Sequence, residues 1–123
     1  MKNKVILIDD DEIICELAVE MLEMLDVEAI AAQSKAEAID LFTKHHKETA
    51  FALVDLNIGK DSGIDVLGEL KKIDENVVAI TASGSLLDSD TPKYVAMGFS
   101  GIITKPYSLA TLKVLIDKYM GKS

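Results

Sequence analysis

Residues 50–63 read AFALVDLNIGKDSG, and they carry an apolar run directly into a single acid, Asp55. The apolar half requires burial, and Phe51–Val54 is predicted to form a strand. A polar loop that contains Gly59 is predicted to follow at residues 57–62. A strand of this kind delivers its terminal carboxylate to the edge of a sheet. Asp55 is therefore the first candidate site residue, and the rest of the chain supplies its scaffold and its chemical partners.

Four further segments predict strands, at residues 4–8, 28–32, 77–80 and 101–104. In the first of these, KVILI, four consecutive apolar residues follow Lys4, which is typical of a strand buried on both faces of a parallel sheet. Helices are predicted after each of the five strands, and Ser34, Thr91-Pro92 and Ser108 mark three of their starts. The 3.6-residue periodicity puts one apolar stripe on the first helix, at Ile14, Leu17, Ala18, Met21, Leu22 and Leu25. In two later helices it predicts these residues to face inward: Ile64, Leu67 and Leu70; Leu109, Leu112, Ile116 and Tyr119. This alternation predicts an α/β fold of βαβ units, with helices on both faces of the sheet.

The composition limits the class of protein. The chain has 123 residues, of which 49% are hydrophobic and 28% charged, so residues 1–123 are expected to form one globular domain. No apolar run approaches the ~20 residues that span a bilayer, which argues against membrane insertion. The single cysteine fits a cytoplasmic location. A net charge of -8 argues against nucleic-acid binding by this domain.

Polar residues stand at the ends of four predicted strands. They are Asp9 and Asp10, Asp55, Thr81 and Lys105. The carboxyl ends of parallel strands meet at one edge of a sheet, where ligands bind at a topological switch point. Three carboxylates in one place repel one another, and Mg²⁺ would neutralise them. A metal, an ammonium group and a hydroxyl group are what a transferring phosphoryl group requires, with the central carboxylate as nucleophile.

The pairs Asp9-Asp10, Thr81-Ala82 and Lys105-Pro106, together with Asp55, resemble the pattern of response-regulator receiver domains of two-component signalling. The likeness covers nearly the whole chain and extends to chemotaxis response regulators. It implies a three-layer αβα sandwich, a (βα)5 flavodoxin-like fold with strand order 2-1-3-4-5. It also implies that Asp55 is the phosphoacceptor, while Asp9, Asp10, Asp55 and the backbone carbonyl of Asn57 bind Mg²⁺. Thr81 would donate a hydrogen bond to the phosphoryl group, Lys105 would pair with it, and the Lys105–Pro106 bond would be cis.

The resemblance further implies a partner, a sensor histidine kinase or a histidine phosphotransfer protein. Its docking surface is expected near the first helix, where Ile13, Ile14 and Leu17 are either core residues or part of that surface. The domain itself is expected to be a monomer or a weak homodimer. It would not be an enzyme in the usual sense, because it would promote only its own phosphorylation and dephosphorylation. A phosphatase with an aspartyl nucleophile usually needs a second Asp two residues on, and this chain has Asn57 there.

Three positions depart from the usual receiver pattern. Ile58 and Gly59 stand where many receivers have Met and Pro, and Ile102 stands where an aromatic residue usually swings inward as the signal. These departures, with the short fourth helix and the Leu86-Leu87 loop, are more typical of receivers attached to hybrid histidine kinases. They also leave an alternative open, a pseudo-receiver that binds other proteins without regulated phosphorylation. Ser83 and Asn57 flank the site and are candidates for tuning the lifetime of the phosphate.

Overall fold

The computed structural model describes residues 2–83, 91–105 and 107–121, without the side chains of Ser83 and Thr91. Five strands form one parallel sheet: β1 (Lys4–Ile8), β2 (Glu28–Ala32), β3 (Thr49–Asp55), β4 (Ala79–Ser83) and β5 (Gly101–Thr104). Their order is β2-β1-β3-β4-β5, so the predicted order 2-1-3-4-5 is confirmed. β1 and β3 lie at the centre, and all seven residues of β3 are buried.

Five α-helices follow the strands in the described residues: α1 (Glu12–Met24), α2 (Lys35–His45), α3 (Gly63–Ile73), α4 (Thr91–Ala96) and α5 (Leu109–Met120). A short 3-10 helix, His46–Glu48, joins α2 to β3. Side-chain caps define the starts of several α-helices. Asp11 caps α1, and the Ser34 and Ser108 hydroxyl groups accept hydrogen bonds from backbone N–H groups in α2 and α5. Gly121 ends α5 in the left-handed conformation, at φ 67°. Among the described residues, no helix combines the length and the apolar character needed to cross a membrane.

The core consists of two apolar clusters, one on each face of the sheet. Val5 and Leu7 of β1 pack into the first cluster with α1 and α5. Ile6 and Ile8, the alternate residues of the same strand, pack into the second cluster with α2 and α3. A strand buried on both faces thus separates two helical layers, which confirms the three-layer αβα sandwich.

The structure corrects the predicted boundaries around the site. β4 begins at Ala79 instead of Val77 and runs past Thr81 to Ser83. Residues 57–62, predicted as a loop, form a hairpin of two short antiparallel strands, Asn57–Ile58 and Asp61–Ser62. We call this element the site hairpin. The tight turn of this hairpin places Gly59 at φ +60°, a conformation that glycine adopts without steric cost.

Two residues predicted to face inward are instead exposed, Ile64 (39%) and Leu109 (40%). Leu17, for which both core and docking positions were open, is 52% exposed. Ile64 and Leu109 lie in the first turns of α3 and α5, which begin at the carboxyl edge of the sheet. Leu17 lies beside the buried face of α1, which is centred on Cys15, Ala18 and Leu22.

Candidate functional site

Three carboxylates meet at the carboxyl edge of the sheet. Asp9 follows β1, Asp10 comes next to it, and Asp55 ends β3. Each offers one oxygen such that these atoms all lie within 4.8 Å of one another. Asp9 and Asp55 are buried, at 2% and 7% exposure, while Asp10 is exposed. The sequence therefore predicted correctly that these three acids come together.

Lys105 supplies the positive charge of this cluster. Its Nζ lies 3.0 Å from Asp55 Oδ2 and 2.5 Å from Asp9 Oδ2. The contact with Asp55 is a hydrogen bond, whereas Asp9 Oδ2 is a buried atom without a hydrogen-bond partner in the described part of the chain. The Asp9 contact is thus an ion pair without hydrogen-bond alignment. One ammonium group therefore contacts two of the three carboxylates, and the cluster keeps an excess of negative charge.

Burial sets the protonation of these groups. Burial raises the pKa of the Asp9 carboxyl, and the neighbouring Lys105 ammonium only partly opposes that effect. Burial acts to lower the pKa of Lys105, but its contacts with Asp9 and Asp55 outweigh burial and raise it. Lys105 is consequently held in its charged form. The raised Asp9 pKa means that burial makes the charged form of this carboxyl less favourable in the folded protein than in water.

Thr81 lies beside the acids on the neighbouring strand. The register aligns Val54 with Thr81 and Asp55 with Ala82. Thr81 is fully buried, and its Oγ1 donates a hydrogen bond to the Val54 carbonyl at 3.2 Å. On its other side Thr81 is aligned with Ile102 of β5, which is partly buried. The hydroxyl group is therefore near the acids but is engaged by the backbone.

The site hairpin closes tightly against Asp55. The Asn57 N–H donates to Asp55 Oδ1 at 3.5 Å, and Gly63 N–H donates to the Leu56 carbonyl at 2.9 Å. A Cβ at Gly63 would lie only 2.2 Å from the Asp55 carbonyl oxygen. Only glycine fits this approach, so the start of α3 is held directly on the backbone of the central acid.

Two contacts in this region were not predicted from the sequence. The Gly59 N–H donates to Asp10 Oδ2 at 2.9 Å across 49 residues of chain. Tyr107 is 8% exposed and helps to line an apolar groove of about 290 Å³ together with Ile14, Leu17, Met21 and Lys105. The aromatic residue just after Lys105-Pro106 was the available signal for that groove. Beside the groove, the first turn of α1 exposes Ile13 at 68%.

Some expectations fall outside the described residues. They concern the Lys105–Pro106 peptide bond, the Leu86-Leu87 loop and the side chain of Ser83.

Comparison with known proteins gives concordant results. The curated polar-differentiation response regulator DivK of Brucella ovis is 29% identical over 125 residues, which cover 98% of each chain. A solved response regulator receiver domain protein from Clostridium thermocellum superposes with a TM-score of 0.86 at 25% identity, over 96% of this chain and 94% of that one. The receiver domain of a sensor histidine kinase from Pseudomonas aeruginosa PAO1, solved with a magnesium ion in its active-site cleft, superposes with a TM-score of 0.83. The superposition covers 99% of this chain and 100% of the Pseudomonas chain. At 16% sequence identity, this match shows similarity of fold alone.

The family is decided by the match to a sequence model. The model of the response regulator receiver domain matches residues 5–117, almost the entire chain. Receiver domains are signalling phosphoacceptors and not enzymes that turn over a separate substrate, and they interact with histidine kinases or phosphotransfer proteins. The acidic pocket of Asp9, Asp10 and Asp55 is consistent with that role. The chain belongs to the response regulator receiver domain family.

Proposed function

We propose that Asp55 accepts a phosphoryl group from a phosphohistidine and that this modification switches or relays a signal. The observation that carries the proposal is the position of Asp55, buried at a strand end with one oxygen on Lys105 at 3.0 Å and two further acids beside it. Asp55 is the nucleophile, Lys105 the paired cation and Thr81 the hydroxyl donor. Residues 1–123 act as a single receiver domain.

Mg²⁺ is the metal that this donor set favours. Asp9, Asp10, Asp55 and the Asn57 backbone carbonyl are the proposed ligands, all of them the oxygen donors that Mg²⁺ prefers. Two features support the fit: the oxygens lie within 4.8 Å of one another, and the Lys105 ammonium pairs with only two of the three carboxylates. The similar Pseudomonas receiver was solved with magnesium in its cleft. A bound cation would offset the charge on the incoming phosphoryl oxygens.

The transfer forms one bond and breaks one. A carboxylate oxygen of Asp55 attacks phosphorus, and the P–N bond to the donor imidazole breaks with its electron pair going to nitrogen. The product is a mixed anhydride, an aspartyl phosphate, which water later hydrolyses to restore the carboxylate. Lys105, which already contacts Asp55 Oδ2, remains to stabilise the negative charge on the transferred group.

Thr81 and Ile102 determine how the change would be read out. To reach a phosphoryl oxygen, the Thr81 hydroxyl must give up its 3.2 Å hydrogen bond to the Val54 carbonyl. Ile102 is the β5 neighbour of Thr81, and its aliphatic side chain cannot make the aromatic swing of many receivers. The readout at this edge is therefore a change in the packing of Thr81 against β3 and β5. A pseudo-receiver remains the alternative that Ile102 favours.

The partner is a sensor histidine kinase or a histidine phosphotransfer protein that docks on α1. Ile13 and Leu17 are exposed at 68% and 52%, and the partly buried Ile14 lines the adjacent groove. Exposed acids on the same helix, among them Glu12 and Glu16, favour a partner with basic residues around an apolar centre. The domain is proposed to be cytoplasmic, a monomer or weak homodimer, and to bind no nucleic acid.

Labelling with a small phosphodonor tests this function. Acetyl phosphate with Mg²⁺ should modify the wild type, and Asp55→Asn should remain unmodified. Omission of Mg²⁺ should suppress the reaction. Size-exclusion chromatography of the labelled and unlabelled wild type then separates a switch that dimerises from a relay that stays monomeric. An unlabelled wild type that still binds its kinase would establish the pseudo-receiver instead.

A further inference from the structure

Asp10 differs from the other two acids of the site. It is exposed, whereas Asp9 and Asp55 are buried and in contact with Lys105. In the described part of the chain, the hydrogen bond that holds its side chain comes from the Gly59 N–H, at 2.9 Å. An exposed carboxylate without such a bond would sample several rotamers and would lose that freedom on binding a metal. The hydrogen bond from Gly59 therefore restricts the Asp10 carboxylate to one orientation before a metal binds.

The turn of the site hairpin explains why this N–H is available. The hairpin pairs Asn57 with Ser62 and Ile58 with Asp61, which leaves Gly59 and Lys60 as the two central residues of the turn. Gly59 has φ +60°, the conformation that glycine provides at the first central position of a type II′ turn. The amide of that position takes no part in the pairing of the two strands. It is thus free to point at Asp10.

The hairpin also holds this amide in a fixed place. Ile58, which precedes Gly59, is 1% exposed and packs in the core cluster on the α3 side of the sheet. The base of the hairpin is closed by the Gly63 N–H bond to Leu56, the residue after Asp55. The Gly59 N–H is therefore anchored to the same backbone that carries the central acid.

We propose that the Gly59 backbone amide is a positioning group for the metal site, holding one oxygen of Asp10 so that its carboxylate faces Asp9 and Asp55. With that bond in place, Asp10 still offers an oxygen within 4.8 Å of those of the other two acids. A hydrogen bond to a ligating carboxylate orients it, and loss of such an outer contact typically costs about 10–100-fold in metal affinity. Proline, which many receivers have here, has no N–H and could not act in this way. The inference rests on the proposed Mg²⁺ site.

Calorimetric titration with Mg²⁺ suits this chain, which contains no tryptophan for fluorescence. Gly59→Pro removes the N–H, and because proline cannot adopt positive φ it also alters the turn; it should weaken Mg²⁺ binding by about 10–100-fold. Gly59→Val separates the two effects, because it keeps the N–H but also disfavours positive φ; it should bind Mg²⁺ more tightly than Gly59→Pro, and an equal loss would assign the effect to the turn and overturn the proposal. Gly59→Asn is the matched control, because asparagine tolerates positive φ and keeps the N–H, so its affinity should stay close to that of the wild type. Equal affinity of Gly59→Pro and wild type would overturn the proposal.

Amide hydrogen exchange in the unaltered protein supplies a second readout. Mg²⁺ should slow exchange of the Gly59 amide, because an Asp10 fixed by the metal holds its hydrogen bond more firmly. Faster exchange with Mg²⁺ would mean that the metal competes with Gly59 for Asp10, and unchanged exchange would mean that the two are uncoupled. Either result would refute the positioning role. Failure of the wild type to bind Mg²⁺ at all would overturn the metal site itself, which is a distinct outcome.

Discussion

Gly63→Ala tests the tight junction between Asp55 and α3. The added Cβ would lie 2.2 Å from the Asp55 carbonyl oxygen and 2.9 Å from Leu56 Cα, whereas ordinary contacts begin at 3.4 Å. Both neighbours are backbone atoms, so no side chain can rotate away. The start of α3 and the end of β3 must separate by more than about 1 Å. Overpacking of this kind costs about 1–3 kcal/mol.

A matched control lies five residues further along the same helix. Gly68 is exposed, and a Cβ there meets no atom within 4 Å. Gly68→Ala should therefore stabilise the protein by about 1 kcal/mol, the ordinary helix preference of alanine over glycine. At Gly63, the first residue of α3, the same preference offsets only part of the clash. Because the helix preference is shared, the two substitutions should differ by the cost of the clash, about 1–3 kcal/mol in the free energy of unfolding.

Urea denaturation followed by circular dichroism measures this difference. Gly63→Ala should unfold at lower urea than the wild type, and Gly68→Ala at higher urea. The rate of phosphodonor labelling should fall for Gly63→Ala alone, because only that change displaces Asp55. A Gly63→Ala protein as stable as Gly68→Ala would refute the reasoning, since it would show that the two backbones do not approach closely in solution.

Three further predictions concern the acids, the lysine and the cysteine. Lys105→Met removes the cation between Asp9 and Asp55 and should lower the free energy of unfolding of the metal-free protein by about 3 kcal/mol in urea denaturation. Mg²⁺ should restore part of this loss, and an unchanged free energy of unfolding would contradict the ion pairing. Because burial raises the Asp9 pKa above its ordinary 3.8, the charged form costs stability at neutral pH. Metal-free Asp9→Asn should thus have a higher melting temperature than the wild type at pH 7, and the difference should vanish as the pH falls below 3.8. A lower melting temperature of Asp9→Asn at pH 7 would show that the charged Asp9 stabilises the fold, contrary to this prediction. Burial raises the Cys15 pKa from 9.0 to about 11, which lowers the fraction of reactive thiolate at pH 8. Iodoacetamide should therefore alkylate the native thiol roughly 100-fold more slowly than the urea-unfolded one. Equal rates would show that Cys15 is accessible in the native protein.

The sheet and the acid cluster were predictable because both depend on local sequence. A run such as residues 5–8, apolar at every position, fits a strand buried on both faces, and the first polar residue after it marks the sheet edge. Asp9 and Asp55 follow from that rule, and Lys105 lies one residue beyond Thr104, the first polar residue after the apolar pair of β5. Parallel pairing then brings them together whatever the details of the loops.

The remaining features depend on tertiary geometry that periodicity does not encode. Ile64 and Leu109 continue the apolar stripes of their helices, yet they are exposed because their first turns begin at the edge of the sheet. The site hairpin requires a particular turn at Gly59, and its bond to Asp10 joins residues 49 positions apart. Tyr107 and the groove beside α1 likewise arise only when α1, Lys105 and the start of α5 meet.

Identification of the phosphorylated residue tests the central claim most directly. After acetyl phosphate treatment in Mg²⁺, borohydride reduction converts an aspartyl phosphate to homoserine, which tandem mass spectrometry can locate in a peptide. We predict homoserine at position 55, dependent on Mg²⁺ and absent from Asp55→Asn. Homoserine at position 9 or 10, or none in a folded wild-type protein, would contradict the assignment of Asp55 as the phosphoacceptor.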